Sequence, residues 1–353
     1  MIRVNILSTK NPVYSLIFTP LFVNKKLLEN KGVNIKFFSN VSNDLFNADC
    51  VFINNRIYRK NPNQNKDSDM FTLLEKLNNK VQKIFWLDTT DGTGTTQFQF
   101  LPYVSKYFKT QILKDKNLYL NKYYGGRIFT DYYHKKFHIQ DSIEFTNMEP
   151  AHQDHLHKIE VSWGHSLADF GKYSTILRKI RKYFPIKTFY SQNFVSSNIK
   201  TQIANFRFNT NYSRETISFQ RSLIQKKANE LGYSTEKIPR KKYFTELKRS
   251  KLAISPFGWG ETSYKDFEII LNGVALIKPD MSHMSTWPEI YVDNFTYLPI
   301  NWDCSNLSLV IEDAIKDDKW QKINLQAQQL YKKYLYGDEA QFNFTNRLLN
   351  MIK

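Results

Sequence analysis

KLAISPFGWGETSYKDFEIILNGVALIKP, residues 251–279, holds two short apolar runs separated by a glycine-containing turn and an amphipathic stretch. The run 251–256 predicts a buried strand, residues from about 260 to 272 predict a helix, and the run 274–279 predicts a second strand. Strands that alternate with helices in this way are typical of a parallel sheet with crossover helices. The segment therefore predicts an α/β fold.

The same alternation occurs elsewhere in the chain. In the first half, predicted strands lie at 2–7, 34–39, 49–54 and 83–88, and predicted helices cover about 16–31 and 69–79. In the second half the pattern starts again at 187–192, followed by a strand at about 199–206, helices at 216–231 and 242–250, and closing helices at 319–335 and 339–352.

The length favours two domains, because 353 residues exceed what one hydrophobic core usually organises. Residues from about 115 to 170 fit no single period, and we place the end of the first domain there. We predict a Rossmann-like N-terminal domain over 1–170 and a Rossmann-like C-terminal domain over 171–335. A terminal helix, 336–353, is expected to pack back on the first domain.

The composition is strongly basic, with 50 Lys and Arg against 33 Asp and Glu and a formal net charge of +17. Nucleic acid, anionic lipid headgroups and phosphorylated substrates are partners of matching sign. The basic residues are scattered among aromatic ones, which favours a basic face over a nucleic-acid-binding tail. A lysine-rich solvated surface without a partner is the alternative.

Neither a membrane span nor a secretion signal is predicted. No apolar run approaches the roughly 18 to 20 residues that cross a bilayer, and the N-terminus lacks the apolar stretch and cleavage site of a signal peptide. We therefore expect a cytoplasmic protein. Cys50 and Cys304 are the only cysteines and lack metal-ligand spacing, which argues against disulfides and zinc sites and for two small core residues.

The FGWG turn is a candidate anion-binding site. Gly258 and Gly260 let the backbone approach a ligand, and the helix that follows offers unpaired N–H groups and a partial positive charge to an anion such as a diphosphate. Glu261 and Glu268 are seven residues apart, about two helical turns, so both carboxylates are expected on one face. Such carboxylates accept hydrogen bonds from sugar or ribose hydroxyls. The spacing alone also fits an ordinary amphipathic helix with two exposed glutamates.

The segment SKLAISPFGWGETSYKDFEIILNGVALIKPDMSHMSTWPEIYVDNFTYLPINWD, residues 250–303, closely resembles the C-terminal signature of bacterial GT-B glycosyltransferases from surface-polysaccharide (capsule and lipopolysaccharide) clusters. FWLDTTD (85–91) and YVSKYFKTQILKDKNLY (103–119) also resemble these group 1-like enzymes. The resemblance implies two Rossmann-like domains that face each other across a cleft. It also implies metal-independent, hexosyltransferase-type transfer from a nucleoside diphosphate sugar, without a cofactor, to a hydroxyl of a surface glycan or lipid-linked acceptor.

The resemblance assigns roles to residues of the second half. Glu268 would hold the ribose of the donor, and Glu261 would contact the transferred sugar or the phosphates. Lys278, Asp280 and His283 follow the next strand and would line the same crevice.

The donor diphosphate requires cations, which Arg207, Arg214 and Arg221 could supply because arginine makes bidentate phosphate contacts. Of these, Arg221 with its neighbour Gln220 is preferred, and Arg207 is the second candidate.

If the reaction inverts configuration, a general base must take the acceptor proton. Asp88 and Asp91 are the best placed, because the loop DTTDGTGTT follows the end of a predicted strand. DTTD is not a metal-binding DxD motif, and we predict no metal site. Histidines are the alternative bases: His134, His138, His152, His155, His157 and His165.

Two other functions stay open at this point. A basic nucleic-acid-binding protein would account for the charge but not for the FGWGE turn, and its affinity would fall steeply with salt. A GT-B-like nucleotide-sugar epimerase or a phosphorylase would use the same crevice for other chemistry. We expect glycosyl transfer without a nucleic-acid partner, with the basic surface docked on anionic lipid at the inner face of the cell membrane.

Overall fold

The computed structural model describes residues 1–11, 14–58, 66–142, 149–171, 176, 180, 190, 193–195 and 199–353. The point at which the second alternating pattern is expected to start, 187–192, lies outside the described residues except for Tyr190.

Strands and helices alternate through most of the described chain. The strands are β1 (Ile2–Leu7), β2 (Val33–Phe38), β3 (Cys50–Asn54), β4 (Lys83–Asp88), β5 (Lys106–Lys109), β6 (Gln111–Leu113), β7 (Ile159–Val161), β8 (Gln202–Asn205), β9 (Ser250–Ile254), β10 (Ala275–Pro279), β11 (Met284–Thr286) and β12 (Leu298–Ile300). The α-helices are α1 (Thr19–Val23), α2 (Lys25–Asn30), α3 (Asn55–Tyr58), α4 (Lys66–Asn78), α5 (Ile128–Phe137), α6 (Glu215–Glu230), α7 (Arg240–Arg249), α8 (Tyr264–Leu271), α9 (Leu307–Ile315), α10 (Lys319–Leu335) and α11 (Gly337–Ile352).

The first sheet consists of parallel strands in the order β2-β1-β3-β4-β5-β7. Its central strands are short and apolar, and every residue of β3 is buried. Such strands are covered by other elements on both faces. Because the strands are parallel, the loops that follow β1, β3, β4 and β7 emerge at one edge of the sheet.

The second sheet is also parallel, in the order β12-β10-β9-β8. The unit β9-α8-β10 is the strand-helix-strand that residues 251–279 predict. Apolar side chains of α8, among them Phe267 and Ile270, pack in the core that covers this sheet. Cys304 lies in the core on the other side and Cys50 in a core of the first sheet, so both cysteines are buried, as predicted.

Residues 111–142 link the two halves. β6 pairs antiparallel with β11, which comes from the second half of the chain. Helix α5 packs in the core of the second half through Phe129 and Tyr133, and the Tyr133 hydroxyl donates to the carbonyl of Trp302 at 2.7 Å. By packing, α5 therefore belongs with the second sheet, although it lies inside the range predicted for the N-terminal domain.

The last helix, α11, comes from the second half of the chain and packs on the first sheet. Phe344 and Leu348 of α11 are buried in one cluster with Val4 and Phe52 of the first sheet. The guanidinium of Arg347 lies 5.5 Å from the ring centre of Trp287. The C-terminal helix thus covers part of the core of the first sheet.

The helix predicted over 16–31 is broken into shorter pieces. Residues 14–18 form a 3₁₀ turn, and α1 and α2 follow on either side of Asn24. The Asn24 side chain donates to the carbonyl of Pro20 at 2.8 Å. A side chain that bonds its own backbone in this way competes with helical hydrogen bonding, so the amphipathic pattern alone overestimates the helix length.

The carboxyl ends of the two sheets face each other, and the loops that follow β4 and β9 meet between them. The predicted fold class, α/β with two Rossmann-like sheets across a cleft in the GT-B arrangement, is confirmed. Among the residues that the structure describes, no helix combines the length and the apolar character needed to cross a membrane.

Candidate active site

Two glycine-containing loops meet where the sheets face each other. One, residues 88–96, follows the first sheet, and the other, residues 257–263, follows the second. Their backbones touch, because a Cβ atom on Gly260 would lie 2.1 Å from the backbone nitrogen of Gly92. Only glycine permits such an approach at position 260. Since α/β sheets bind ligands at the carboxyl ends of their strands, the two loops mark the candidate site.

Glu261 is a fully buried carboxylate that joins the two loops. Its oxygens accept hydrogen bonds from the backbone N–H of Thr93 at 2.9 Å and from the Thr93 hydroxyl at 2.6 Å. Nε2 of His283 lies 3.6 Å from Oε1 of the same carboxylate. Burial favours a raised pKa for Glu261, but the contacts with His283 and Thr93 prevail and lower this pKa to about 2. Glu261 is therefore an ionised group that connects the two halves.

Helix α8 begins later than the sequence predicts. Ser263 is its N-cap: its hydroxyl accepts a hydrogen bond from the N–H of Lys265, and the Asp266 carboxylate accepts one from the N–H of Ser263. This capping box leaves Glu261 in the loop before the helix. The prediction that Glu261 and Glu268 share one helix face is therefore wrong, because only Glu268 is helical.

Lys278 is buried beneath the start of this helix and does not line the crevice. Its Nζ lies 3.0 Å from Oδ1 of Asp266 and donates to the carbonyl of Ser255 at 3.3 Å. The Tyr291 hydroxyl donates to the other oxygen of Asp266 at 2.6 Å. Burial lowers the pKa of Lys278, and the charge of Asp266 opposes this. The predicted donor contact of Lys278 is corrected to a structural role, in which it holds Asp266 and thereby the N-cap.

Glu268 lies on the outer face of α8 in a partly buried polar cluster with Arg240, Tyr243 and Lys265. Its carboxylate is 3.5 Å from the guanidinium of Arg240, and its side chain is 21% exposed. The hydroxyl of Tyr243 is buried and has no hydrogen-bond partner within the described ranges. Nζ of Lys265, one turn before Glu268, donates to the carbonyl of Arg207 at 2.6 Å. This group offers a carboxylate, a free hydroxyl and an ammonium to a ligand.

Burial changes the proton affinities in this group. It raises the pKa values of Glu268 and Tyr243, since both carry a negative charge when deprotonated. It lowers the pKa of Lys265 to about 7, and the nearby Arg221 acts in the same direction. An anion bound here would reverse the effect on Lys265, because a nearby negative charge favours the ammonium form.

The two arginines preferred for the diphosphate hold groups of the protein itself. Arg207 pairs with Glu246, with Nε 2.9 Å from Oε2. Arg221 is buried and donates to the carbonyls of Phe257 at 2.7 Å and Asn209 at 2.6 Å. Arg221 therefore supports the FGWG turn through the carbonyl of Phe257. Neither guanidinium is presented to the cleft, contrary to the prediction from the sequence.

The remaining predicted residues of the second half are placed as follows. Gln220 is fully buried, and Arg214 is buried in an ion pair with Asp141 at 2.9 Å. Asp280 is half-buried and accepts hydrogen bonds from the backbone and hydroxyl of Ser282, which close the turn after β10. Of the residues predicted after that strand, His283 reaches the loop contact, through Glu261.

Asp88 is enclosed in the first half and does not reach the cleft. Nζ of Lys109 lies 3.0 Å from its Oδ2, and Tyr107 and Thr90 donate hydroxyl hydrogen bonds to it at 2.6 and 2.5 Å. Burial favours a raised pKa for Asp88, but the charge of Lys109 and these hydrogen bonds lower it. Both ends of the ion pair are inaccessible to solvent, so Asp88 is corrected from a candidate base to an anchor of the loop at 88–96.

Asp91 is exposed in this loop and lines a pocket of about 290 Å³ between the sheets. The pocket walls come from the ends of β1, β3, β4 and β7 and from the first residue of α8. The lining residues are Tyr14, Ile17, Arg56, Thr89, Asp91, His165 and Tyr264. Both ring nitrogens of His165 are buried without a hydrogen-bond partner among the described residues. The rings of His165 and Tyr264 pack edge to face with centroids 5.9 Å apart.

The other candidate histidines lie away from this pocket. His134 stacks on Tyr124 with ring centres 3.8 Å apart, and His138 ends α5 in a left-handed conformation. Residues 152–157, which carry the HQDHLH sequence, form a surface turn. In the part of the chain that the structure describes, no group of three or more His, Cys, Asp or Glu side chains could hold a metal ion.

Sequence reasoning missed several residues of the site. The sequence patterns do not indicate Thr93, Tyr243 and Lys265, nor Arg56 and Tyr264. The S-x-x-D spacing of the capping box was a usable signal for the helix start. The pocket residues come from four separate strand ends and from the start of α8, and no local pattern joins them.

Comparison with known proteins gives matches to solved structures at low sequence identity. No protein-family model and no curated protein matches the chain. HepE from Anabaena, solved with UDP-glucose, is 8% identical with a TM-score of 0.43, and the match covers 100% of this chain and 99% of that one. An alpha-glucosyltransferase solved with UDP and a 13-mer DNA containing an HMU base is 8% identical with a TM-score of 0.46, covering 98% and 99%. A glycosyltransferase from Rickettsia africae is 11% identical with a TM-score of 0.43, covering 100% and 98%.

Proposed function

We propose that the protein is a glycosyltransferase that moves a sugar from a nucleoside diphosphate donor to a hydroxyl of an acceptor. The observation that carries the proposal is the polar group on α8. Glu268, the unpartnered Tyr243 hydroxyl and Lys265 lie together beside the first turns of a helix at the carboxyl end of a parallel sheet.

These groups suit the parts of a nucleotide donor. A carboxylate accepts hydrogen bonds from the two ribose hydroxyls, and Glu268 is the partly exposed carboxylate of this group. The helix N-terminus and the Lys265 ammonium favour negative charge and suit the diphosphate. The pocket at Asp91 and His165 is also lined by Tyr264 at the helix start, and its volume of about 290 Å³ has room for a sugar and an acceptor hydroxyl.

Stabilisation of the departing diphosphate by the Lys265 ammonium and the positive end of the α8 dipole requires no metal ion in this scheme. We therefore propose metal-independent, hexosyltransferase-type transfer without a cofactor. Turnover that disappears with EDTA and returns with Mg²⁺ or Mn²⁺ would contradict this part of the proposal.

The first experiment is thermal unfolding with UDP, GDP, ADP, CDP and dTDP and with the matching nucleotide sugars. A ligand at about 100 times its Kd adds about 2.7 kcal/mol of stability, which shifts Tm by several degrees in a chain of this size. We expect one nucleotide to stabilise the wild type and not Glu268→Ala. Glu75→Ala, at an exposed position of α4, is the matched control and should respond like the wild type. Absence of any shift in folded wild-type protein would remove the proposal.

We further propose that the acceptor is a surface glycan or a lipid-linked precursor of capsule or lipopolysaccharide type, reached at the inner face of a bacterial cell membrane. The net charge of +17 supports contact with anionic lipid. Sedimentation with vesicles of neutral lipid and with vesicles containing anionic lipid tests this contact, and equal partitioning would contradict it.

The same charge also fits nucleic acid, for which we expect no specific binding. Titration of a DNA duplex at two salt concentrations distinguishes the cases, because purely electrostatic binding falls steeply with salt. Tight binding to any duplex with an affinity that falls steeply with salt would favour the alternative of a basic nucleic-acid-binding protein, and binding to one sequence that persists at high salt would favour a nucleic-acid acceptor. A GT-B-like epimerase would convert the nucleotide sugar without any added acceptor.

A further inference from the structure

His165 has an unusual environment for a histidine inside a protein. Its ring nitrogens are buried and find no hydrogen-bond partner among the described residues, although the ring faces a pocket of about 290 Å³. Most buried polar side-chain atoms are hydrogen-bonded, so each exception needs an explanation. A substrate group in the pocket would supply the missing partner.

The backbone around His165 is held by both halves of the molecule. The N–H of Gly164 donates to the carbonyl of Trp287 at 2.7 Å, and the N–H of Ala168 donates to the carbonyl of His165 at 2.9 Å. The Tyr331 hydroxyl donates to the carbonyl of Ser166. Because these contacts fix the turn, the imidazole has a defined position in the pocket before any substrate binds.

The charged groups around His165 come from three elements of the first sheet. Asp91, on the loop after β4, favours the protonated ring. Arg56, which donates to the carbonyl of Thr89 at 2.6 Å, and the buried Lys109 of β5 disfavour it. Burial has the largest effect, and the pKa of His165 is lowered to about 4. The ring is therefore neutral near pH 7 and has a nitrogen lone pair available.

His165 also lies next to the expected position of the leaving group. Its ring packs against Tyr264, the first residue of α8, with centroids 5.9 Å apart. The N-terminus of this helix is where the proposed function places the diphosphate. A hydroxyl bound in the pocket that His165 lines would therefore be within reach of a sugar whose diphosphate is held at the helix start.

We propose that His165 is the catalytic base of the transfer, an inference that rests on the proposed function. A ring nitrogen accepts the proton of the acceptor hydroxyl while the acceptor oxygen forms a bond to the anomeric carbon. The bond between that carbon and the phosphate oxygen breaks, and its electron pair leaves with the nucleoside diphosphate. The imidazolium that results lies beside the carboxylate of Asp91, which stabilises its charge.

This assignment predicts the stereochemistry of the product. A separate protein base is needed when the acceptor attacks from the face of the sugar opposite the departing phosphate, so the assignment predicts that configuration at the anomeric carbon is inverted. In attack from the same face, the departing phosphate oxygen is beside the hydroxyl and takes the proton itself. The anomeric proton signals of the first product, read by NMR, therefore test the assignment, and a retained configuration would overturn it.

The kinetic test uses His165→Asn, with His157→Asn at an exposed position of the 152–157 turn as control. The assay measures release of nucleoside diphosphate from the nucleotide sugar that the thermal panel identifies, with water and with methyl glycosides as acceptors. Removal of a general base should lower kcat by about 10²- to 10⁴-fold. Thermal stabilisation by the nucleotide should be unchanged in both variants.

The outcomes separate the two proposals. If His165→Asn binds the nucleotide and turns over within a few-fold of wild type, the base assignment is wrong and the proposed function stands. If wild type neither binds a nucleotide nor cleaves a nucleotide sugar, the function falls, and the base assignment falls with it. Should His165→Asn fail to fold, Asp91→Asn at an exposed position provides the second variant, and we expect an intermediate loss because it removes only the stabilising charge.

Discussion

Glu261 accepts two hydrogen bonds from Thr93, one from its backbone N–H and one from its hydroxyl, across the boundary between the two sheets. A carboxylate that is fully buried costs free energy unless its oxygens are bonded. The two hydrogen bonds from Thr93 therefore stabilise the contact between the loops at 88–96 and 257–263.

We expect Thr93→Val to destabilise the protein by about 1–3 kcal/mol, because it removes one donor to a buried charge and keeps the side-chain volume. Urea unfolding measures this change in the free energy of unfolding. Thr72→Val, at an exposed position of α4, is the control and should stay within about 0.5 kcal/mol of wild type. Equal stability of both variants would show that the Thr93 hydroxyl contributes nothing to the contact.

Gly260→Ala should separate the two loops. A Cβ atom at this position would lie 2.1 Å from the backbone nitrogen and 2.7 Å from the Cα of Gly92, and backbone atoms cannot move aside cheaply. We expect a lower Tm together with weaker nucleotide binding. Gly258→Ala is the matched control, since its nearest contact is the Tyr212 hydroxyl at 3.4 Å and both effects should be small. Wild-type behaviour of Gly260→Ala would contradict the close backbone approach.

Lys278→Met should strongly lower the free energy of unfolding, because it leaves Asp266 as a buried, uncompensated charge. Loss of one partner of a buried ion pair costs about 3–5 kcal/mol. The double variant Lys278→Met/Asp266→Asn should recover part of the loss, since the remaining group is neutral. Lys227→Met, which breaks an exposed ion pair with Glu230, should change the free energy of unfolding by less than about 1 kcal/mol. A mild effect of the single Lys278 variant would contradict its structural role.

Nucleotide binding should take up a proton at Lys265. Its pKa is about 7 in the free protein because burial disfavours the ammonium form. A diphosphate at the helix start raises this pKa, so between the lower and the higher value a neutral lysine becomes charged on binding, and affinity falls as pH rises above the free value. Titration calorimetry in two buffers of different ionisation enthalpy measures the uptake.

The control for this measurement is Lys226→Met, at an exposed position of α6, which should take up protons like the wild type. Lys265→Met should bind without the uptake. Identical binding enthalpies for wild type in the two buffers would place the diphosphate away from Lys265.

The periodic parts of the sequence predicted most of the fold. Apolar runs located seven of the twelve strands of the described chain to within a few residues, and the strand, turn, helix and strand predicted over 251–279 are confirmed. The short strands β5, β6, β7, β11 and β12 were not predicted, because three or four residues are too few to show a period. The start of helix α8 was predicted less accurately. The capping box of Ser263 and Asp266 sets the helix start and leaves Glu261 in the preceding loop. Local chemistry of this kind is visible in the sequence once it is looked for.

Other features of the site depend on tertiary contacts. Lys109 and Lys278 are fully buried, and only their distant partners Asp88 and Asp266 explain how a lysine is accommodated there. No sequence pattern around Arg221 indicates that its guanidinium donates to the carbonyl of Phe257. Patterns of period two or 3.6 report which face of an element is apolar, and they hold no information about partners on other elements.

The C-terminal helix α11 has a consequence for how the chain is made. Phe344 and Leu348 complete the core around Val4 and Phe52, so these early residues lack their cover until α11 has been translated. Synthesis proceeds from the N-terminus at about 5–20 residues per second, and domains usually fold in that order. Here the first sheet emerges from the ribosome well before α11 can cover it, and a nascent chain that lacks α11 would expose apolar surface to chaperones and proteases.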